Sequence, residues 1–136
     1  MSFQVIEIQL KTQNLQKYAQ FLTDVFDCQL ESLSEISFRA HLPGFDLVVA
    51  ENKSWKKSSD LVFHFYSSDI QHLYDLKYRT ELYYYCHGVN QKIEQETPES
   101  FSFADPDQRI WKAQLRIFHP KQADLRNVSD QGQCQQ

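Results

Sequence analysis

The sequence predicts an α+β domain made of two βαβββ modules, whose strands form a curved mixed sheet with the helices packed on its outside. Three observations carry this reading. An alternating apolar/polar strand leads into an amphipathic helix near the N-terminus, and the same succession restarts in the middle of the chain. Each helix is followed by short strand-like segments separated by turn residues. The 136 residues are enough to bury one core and fit a single domain.

In residues 3–11, Ile6, Ile8 and Leu10 share one face, while Val5, Glu7, Gln9 and Lys11 share the other. Asn14 is placed to cap a helix whose apolar positions Leu15, Tyr18, Leu22 and Phe26, flanked by Phe21 and Val25, recur at helical spacing. Strand character then runs through residues 29–33, 35–42 and 45–51, the last two separated by the turn Pro43-Gly44. The first module therefore spans about residues 3–51, and the polar stretch 52–59 reads as a linker.

The second module, about residues 60–118, begins with Leu61, Phe63 and Phe65 alternating with Val62, His64 and Tyr66. An offset of 55 lays Val62 on Glu7, His64 on Gln9, and Asp69-Ile70 on Asn14-Leu15. Asp69 is the second helix cap, Ile70, Leu73, Tyr74, Leu76 and Tyr78 follow in the helix, and the Tyr-rich segment 82–86 is compatible with helix or strand, with Gly88 as a terminator. Residues 89–96, 100–104 and 110–118 read as the closing strands. Asp105-Pro106-Asp107-Gln108 turns the chain into the last one, where Trp111, Ala113, Leu115 and Ile117 oppose Lys112, Gln114 and Arg116. Residues 119–136 lack periodicity and aromatic side chains and read as a frayed tail.

Composition excludes several function classes. The formal net charge is -4, and the densest basic cluster is Lys53, Lys56 and Lys57, so a nucleic-acid binder is not expected. No apolar run reaches the ~20 residues of a membrane helix, and the opening residues lack a signal-peptide core, so no membrane association and a cytoplasmic location are expected. Cys28, Cys86 and Cys134 are widely spaced, which reads as reduced thiols. Cys86 and His87 adjoin in sequence without an evident orienting third residue, and with 3 glycines there is no phosphate-cradling loop.

The segment Phe103–Lys112, FADPDQRIWK, following two such modules, resembles the "F-x-DPDG-x-x-x-E" ending of the vicinal oxygen chelate superfamily, the glyoxalase, bleomycin-resistance and extradiol dioxygenase group. The resemblance covers roughly residues 3–118 and implies a cup-shaped sheet whose concave side holds four metal ligands in the metal-dependent members. The first-strand ligand position, seven residues before the helix-opening residue, falls on Glu7. Its counterpart in the second module is Val62, and the fourth-strand position of the first module is Val48. The closing glutamate, seven residues after the first Asp of the turn, falls on Lys112. Valine has no donor atom, and an ammonium repels a cation, so no metal cofactor is expected. A shifted register recruiting Gln9 and His64 would be the route to a divalent metal and to a lyase or dioxygenase.

On this reading the cup-facing residues are Glu7, Gln9, Lys11, Arg39, His64, Tyr66, Lys112, Gln114 and Arg116, with His41 beside Arg39. Lys11, Arg39, Lys112 and Arg116 would make the cup locally positive and suited to an anionic small molecule. Glu7 and Lys112 could instead pair across it. Among the aromatics, Phe101 and Phe103 read as core, Trp55 as a surface stacking candidate, and Tyr83, Tyr84 and Tyr85 as possible pocket walls. Three functions stay open: metal-independent small-molecule binding, the metal-dependent enzyme, and a structural or interaction domain whose cup a partner fills. A homodimer is the expected assembly.

Overall fold

A computed structural model describes residues 7–57 and 62–116. The expectations for residues 3–6, 58–61 and 117–136, including Ile6, Leu61, Ile117, Cys134 and the C-terminal tail, lie outside the described residues.

The first module contains β1 (Glu7–Thr12), α1 (Leu15–Phe26), β2 (Gln29–Ser34), β3 (Ser37–Leu42) and β4 (Phe45–Glu51). The second contains β5 (Val62–Ser67), α2 (Ile70–Cys86), β6 (Glu94–Thr97), β7 (Ser100–Ala104) and β8 (Ile110–Leu115). Each module makes its own four-stranded mixed sheet, in the orders β1-β4-β3-β2 and β5-β8-β7-β6, with the first and last strands of each module parallel. Among the described residues, the strands thus form two sheets that share no hydrogen-bonded edge.

The repeat extends to the hydrogen bonds that start each helix. Thr12 Oγ1 accepts from the Asn14 N–H at 3.2 Å, and Asn14 Oδ1 accepts from the Lys17 N–H at 3.0 Å. At the same offset, Ser67 Oγ accepts from the Asp69 N–H at 3.1 Å, while Asp69 Oδ1 accepts one position earlier in its helix, from the Gln71 N–H at 2.9 Å. Both devices satisfy donors that the first helical turn leaves without partners.

One face of each sheet is apolar, and both helices lie on that side. Leu10, Phe38, Ala40, Leu47 and Val49 from the first sheet share a single core with Phe101, Phe103, Trp111 and Ala113 from the second. Tyr18, Phe21, Leu22 and Val25 of α1 are wholly buried in it. Helix α1 also reaches across to the second module: the Phe26 ring lies 5.5 Å from both Phe65 and Trp111, centroid to centroid, and Phe21 lies 6.3 Å from Phe103. Edge and tilted pairs of this kind add to area burial.

One segment settles an open alternative and another differs from the sequence reading. Residues 82–86, compatible with helix or strand by sequence, are helical and extend α2. Residues 89–93 form no strand, because the chain there ends α2: Gly88 stands at φ +64, its N–H bonds to the Tyr85 carbonyl at 3.4 Å, and the Val89 N–H bonds to the Tyr84 carbonyl at 2.9 Å. That pattern is a Schellman termination, in which Val89 packs its side chain onto the core instead of pairing with a strand.

Candidate functional site

The polar faces of the two sheets carry the residues singled out from the sequence. On β1, Glu7, Gln9 and Lys11 are exposed while Leu10 and Thr12 are buried; on β8, Trp111 and Ala113 are buried while Lys112 and Gln114 lie on the other side. Lys112 therefore points away from the helices.

The first sheet gathers Glu7, Gln9, Arg39 and His41, together with two acids that sequence reasoning missed, Glu31 and Asp46. Register explains the grouping: Glu7 and His41 both stand opposite Asp46, and Arg39 stands opposite Glu31. The Arg39 guanidinium contacts Glu7 at 3.0 Å, Asp46 at 3.6 Å and Glu31 at 3.9 Å. His41 Nδ1 lies 3.0 Å from Asp46, and its Nε2 lies 3.4 Å from Glu31. Gln9 donates to Glu7 at 3.1 Å. This bond and the Arg39 guanidinium hold the Glu7 carboxyl below its ordinary pKa.

The second sheet brings His64 beside Lys112 and Tyr66 beside Gln114. Lys112 Nζ is held by Glu96 at 2.8 Å. The Arg116 guanidinium lies 4.7 Å from the centre of the Tyr66 ring and has no carboxylate partner among the described residues. Lys112 is thus engaged with a neighbour on its own sheet, and Glu7 with Arg39. The expected Glu7–Lys112 pair does not form.

Among the described residues, the expected excess of positive charge is also absent. Glu7, Glu31 and Asp46 face Lys11 and Arg39 on the first sheet, three acids against two cations. On the second, Lys112 and Arg116 are matched in number by Glu94 and Glu96. Glu31 and Asp46 alternate with apolar or small neighbours, a weak signal, and Glu96 lies in the wholly polar strand EQET; what assigns them to the site is the strand register.

A divalent metal does not fit the four positions that the resemblance indicates. Val48 and Val62 offer no donor, the Lys112 ammonium is tied to Glu96, and the Glu7 carboxylate is bonded to Gln9 and Arg39. Among the described residues, no three His, Cys, Asp or Glu side chains gather in a metal-holding group. His64, the substitute ligand, neighbours Lys112 in register, where the ammonium disfavours a second cation.

The turn FADPDQRIWK has a structural task that its sequence did not disclose. Asp105 and Arg109 are each 2 % exposed and form an ion pair at 3.2 Å. Asp105 Oδ2 also accepts from Tyr18 Oη at 2.6 Å and from Trp111 Nε1 at 3.2 Å. Arg109 donates to the Lys11 carbonyl and lies 4.2 Å from the centre of the Trp55 ring. Trp55, expected as a surface stacking residue, instead covers this internal cation. Phe101 and Phe103 are core, Tyr83 and Tyr84 are buried on α2, and Tyr85 is exposed. His87 Nε2 lies 3.3 Å from Asp24, and no hydrogen bond joins it to Cys86 among the described residues.

No protein-family model matches the sequence, and no curated protein matches it. Solved structures do. A glyoxylase/bleomycin resistance protein/dioxygenase domain from Frankia sp. EAN1pec superposes with a TM-score of 0.64 at 18 % identity, covering 85 % of this chain and 98 % of its own. The fosfomycin resistance protein FosX from Listeria monocytogenes gives 0.60 at 16 % identity, over 93 % and 99 %. A glyoxalase/bleomycin resistance protein/dioxygenase from Alicyclobacillus acidocaldarius gives 0.62 at 15 %, over 86 % and 93 %. At such identities the likeness speaks to architecture, and the two βαβββ modules with their turn and caps agree with it: this chain has the two-module fold of the glyoxalase/bleomycin-resistance type.

Proposed function

We propose that this chain is a metal-independent small-molecule-binding protein, a glyoxalase-like domain that has lost most of the metal ligands implied by its resemblance to the vicinal oxygen chelate superfamily. The ligand is a small anion-bearing molecule held at the polar face of the second sheet. The observation that carries this reading is Arg116 stacked on Tyr66 without a carboxylate partner among the described residues, beside Gln114 and one strand step from the His64–Lys112 pair. A guanidinium oriented by an aromatic ring keeps its donor edge free for a carboxylate or phosphate. Arg39 is a poor substitute, since three acids already surround it. The anion site therefore narrows from the whole polar face to Tyr66, Gln114, Arg116, His64 and Lys112. The acid-rich first sheet would receive the polar, uncharged part of the ligand.

The test is an NMR titration of the protein with benzoate, inorganic phosphate and neutral benzamide. Benzoate or phosphate is expected to shift resonances of β5 and β8, and Arg116→Gln to weaken that binding by roughly tenfold, the loss of one charge-assisted contact. Shifts confined to other elements, or equal binding of benzamide, would overturn the reading. A divalent ion retained through purification without chelators would instead favour the metal-dependent alternative. We extend the proposal to a homodimer.

A further inference from the structure

We propose that the outward face of α2 is a self-association surface, on which two copies of this chain pair their α2 helices antiparallel about a twofold axis passing beside Tyr78. This inference is independent of the anion site and leaves both polar sheet faces open.

Helix α2 is apolar on two sides. Its inner side buries Leu73, Thr80, Tyr83 and Tyr84. Its outer side carries Tyr74, Tyr78, Leu82 and Tyr85, which are 52 %, 65 %, 47 % and 85 % exposed. Their spacing of four, four and three residues places them on one stripe of the helix surface. Single exposed apolar side chains need no explanation, but a contiguous stripe of large ones marks a surface that is covered by something.

The charges beside the stripe identify a second copy as the cover. One flank carries Asp75 and Arg79, and the other carries Lys77 and Glu81, each an acid and a base four residues apart. In an antiparallel pair related by a twofold axis, each flank meets the same flank of the other copy with its direction reversed. Asp75 of one copy then meets Arg79 of the other, and Lys77 meets Glu81. The first pairing is centred on residue 77 and the second on residue 79, so both close when Tyr78 lies at the axis. The same register sets Tyr74 against Leu82. Within one chain, Asp75, Lys77 and Glu81 make no ion pair among the described residues, and Arg79 only reaches the exposed Asp27 at 3.5 Å. A partner of another sequence would have no reason to find both flanks self-complementary in one register.

The 17-residue helix is about 25 Å long. One helix pair is smaller than a standard interface, so a dissociation constant on the order of 10 μM is expected. Sedimentation equilibrium of the full chain over a concentration series tests the proposal. The expected result is a monomer–dimer equilibrium that Tyr78→Asp weakens by roughly tenfold or more, as removal of a central aromatic anchor does. Asp75→Arg and Arg79→Asp should each weaken it, and the double exchange should recover most of the loss. Lys77→Glu with Glu81→Lys reads the second flank in the same way, should an Arg79 variant fail to fold. A chain that stays monomeric throughout, a dimer indifferent to Tyr78→Asp, or double exchanges no tighter than the single ones would overturn it. A dimer broken instead by Arg39→Glu or Lys112→Glu would assign the interface to the sheet faces.

Discussion

Tyr18 shows how a single hydroxyl links the two halves of this chain. It comes from α1 of the first module and donates to Asp105 in the closing turn of the second, in surroundings that exclude water. Burial first, and the Asp105 charge second, push the Tyr18 phenol well above its ordinary pKa. Tyr18→Phe should cost about 1.5–3 kcal/mol at neutral pH, the value of a hydrogen bond to a charged acceptor. The pH dependence follows in sign. In the unfolded chain a tyrosine ionises near pH 10, whereas the folded Tyr18 keeps its proton, so stability falls as pH rises beyond about 10. Burial raises Tyr83 and Tyr84 in the same direction. Tyr18→Phe is therefore expected to flatten the alkaline loss of stability without abolishing it. Urea midpoints measured at neutral and alkaline pH check this, and parallel pH profiles for the variant and the parent protein would contradict it.

At the scale of elements, the ends of the helices separate side-chain capping from backbone conformation. Asn14→Ala removes the acceptor for the Lys17 N–H and should cost about 1 kcal/mol. Gly88→Ala loses no contact, because a Cβ built there meets nothing within 4 Å, yet φ +64 is costly for alanine. Its expected cost is about 1–2 kcal/mol. Thermal unfolding of the two variants distinguishes the causes: Asn14→Ser should restore most of the lost stability, whereas Gly88→Asn should recover more than Gly88→Ala, since asparagine tolerates the left-handed region. These ends also show what the sequence discloses about elements. Asn14 and Asp69 were legible as caps because a short polar side chain before an apolar periodic run has one common use. Val89 was misleading, since a β-branched residue looks like strand; its N–H bonds back to Tyr84, so it belongs to a helix terminus.

At the scale of the molecule, the architecture was readable because two periodicities and their turns recur along the chain, and local rules suffice to recognise them. Which polar residues share the site was less readable. Arg39 looked like a free cation until the register placed Glu31 and Asp46 around it, and Lys112 seemed poised for Glu7 until Glu96 proved nearer. Register between strands distant in sequence is a tertiary property, absent from any single segment. The same is true of how the modules are joined. The sequence suggests two repeated units with a linker inside a single domain, and the core shows how the two units are joined. Phe21 and Phe26 of the first module lie among Phe65, Phe103 and Trp111 of the second, and Arg109 donates to the carbonyl of Lys11. Parting the modules would expose these rings and leave the buried Asp105–Arg109 pair facing water on one side, without Tyr18. The chain should therefore unfold in one step, with calorimetric and van't Hoff enthalpies in agreement. A fragment ending at residue 57 should lack the near-ultraviolet signature of packed aromatics. Two resolved calorimetric transitions, or a fragment that folds unaided, would mean that the shared aromatic core contributes less than the packing within each module.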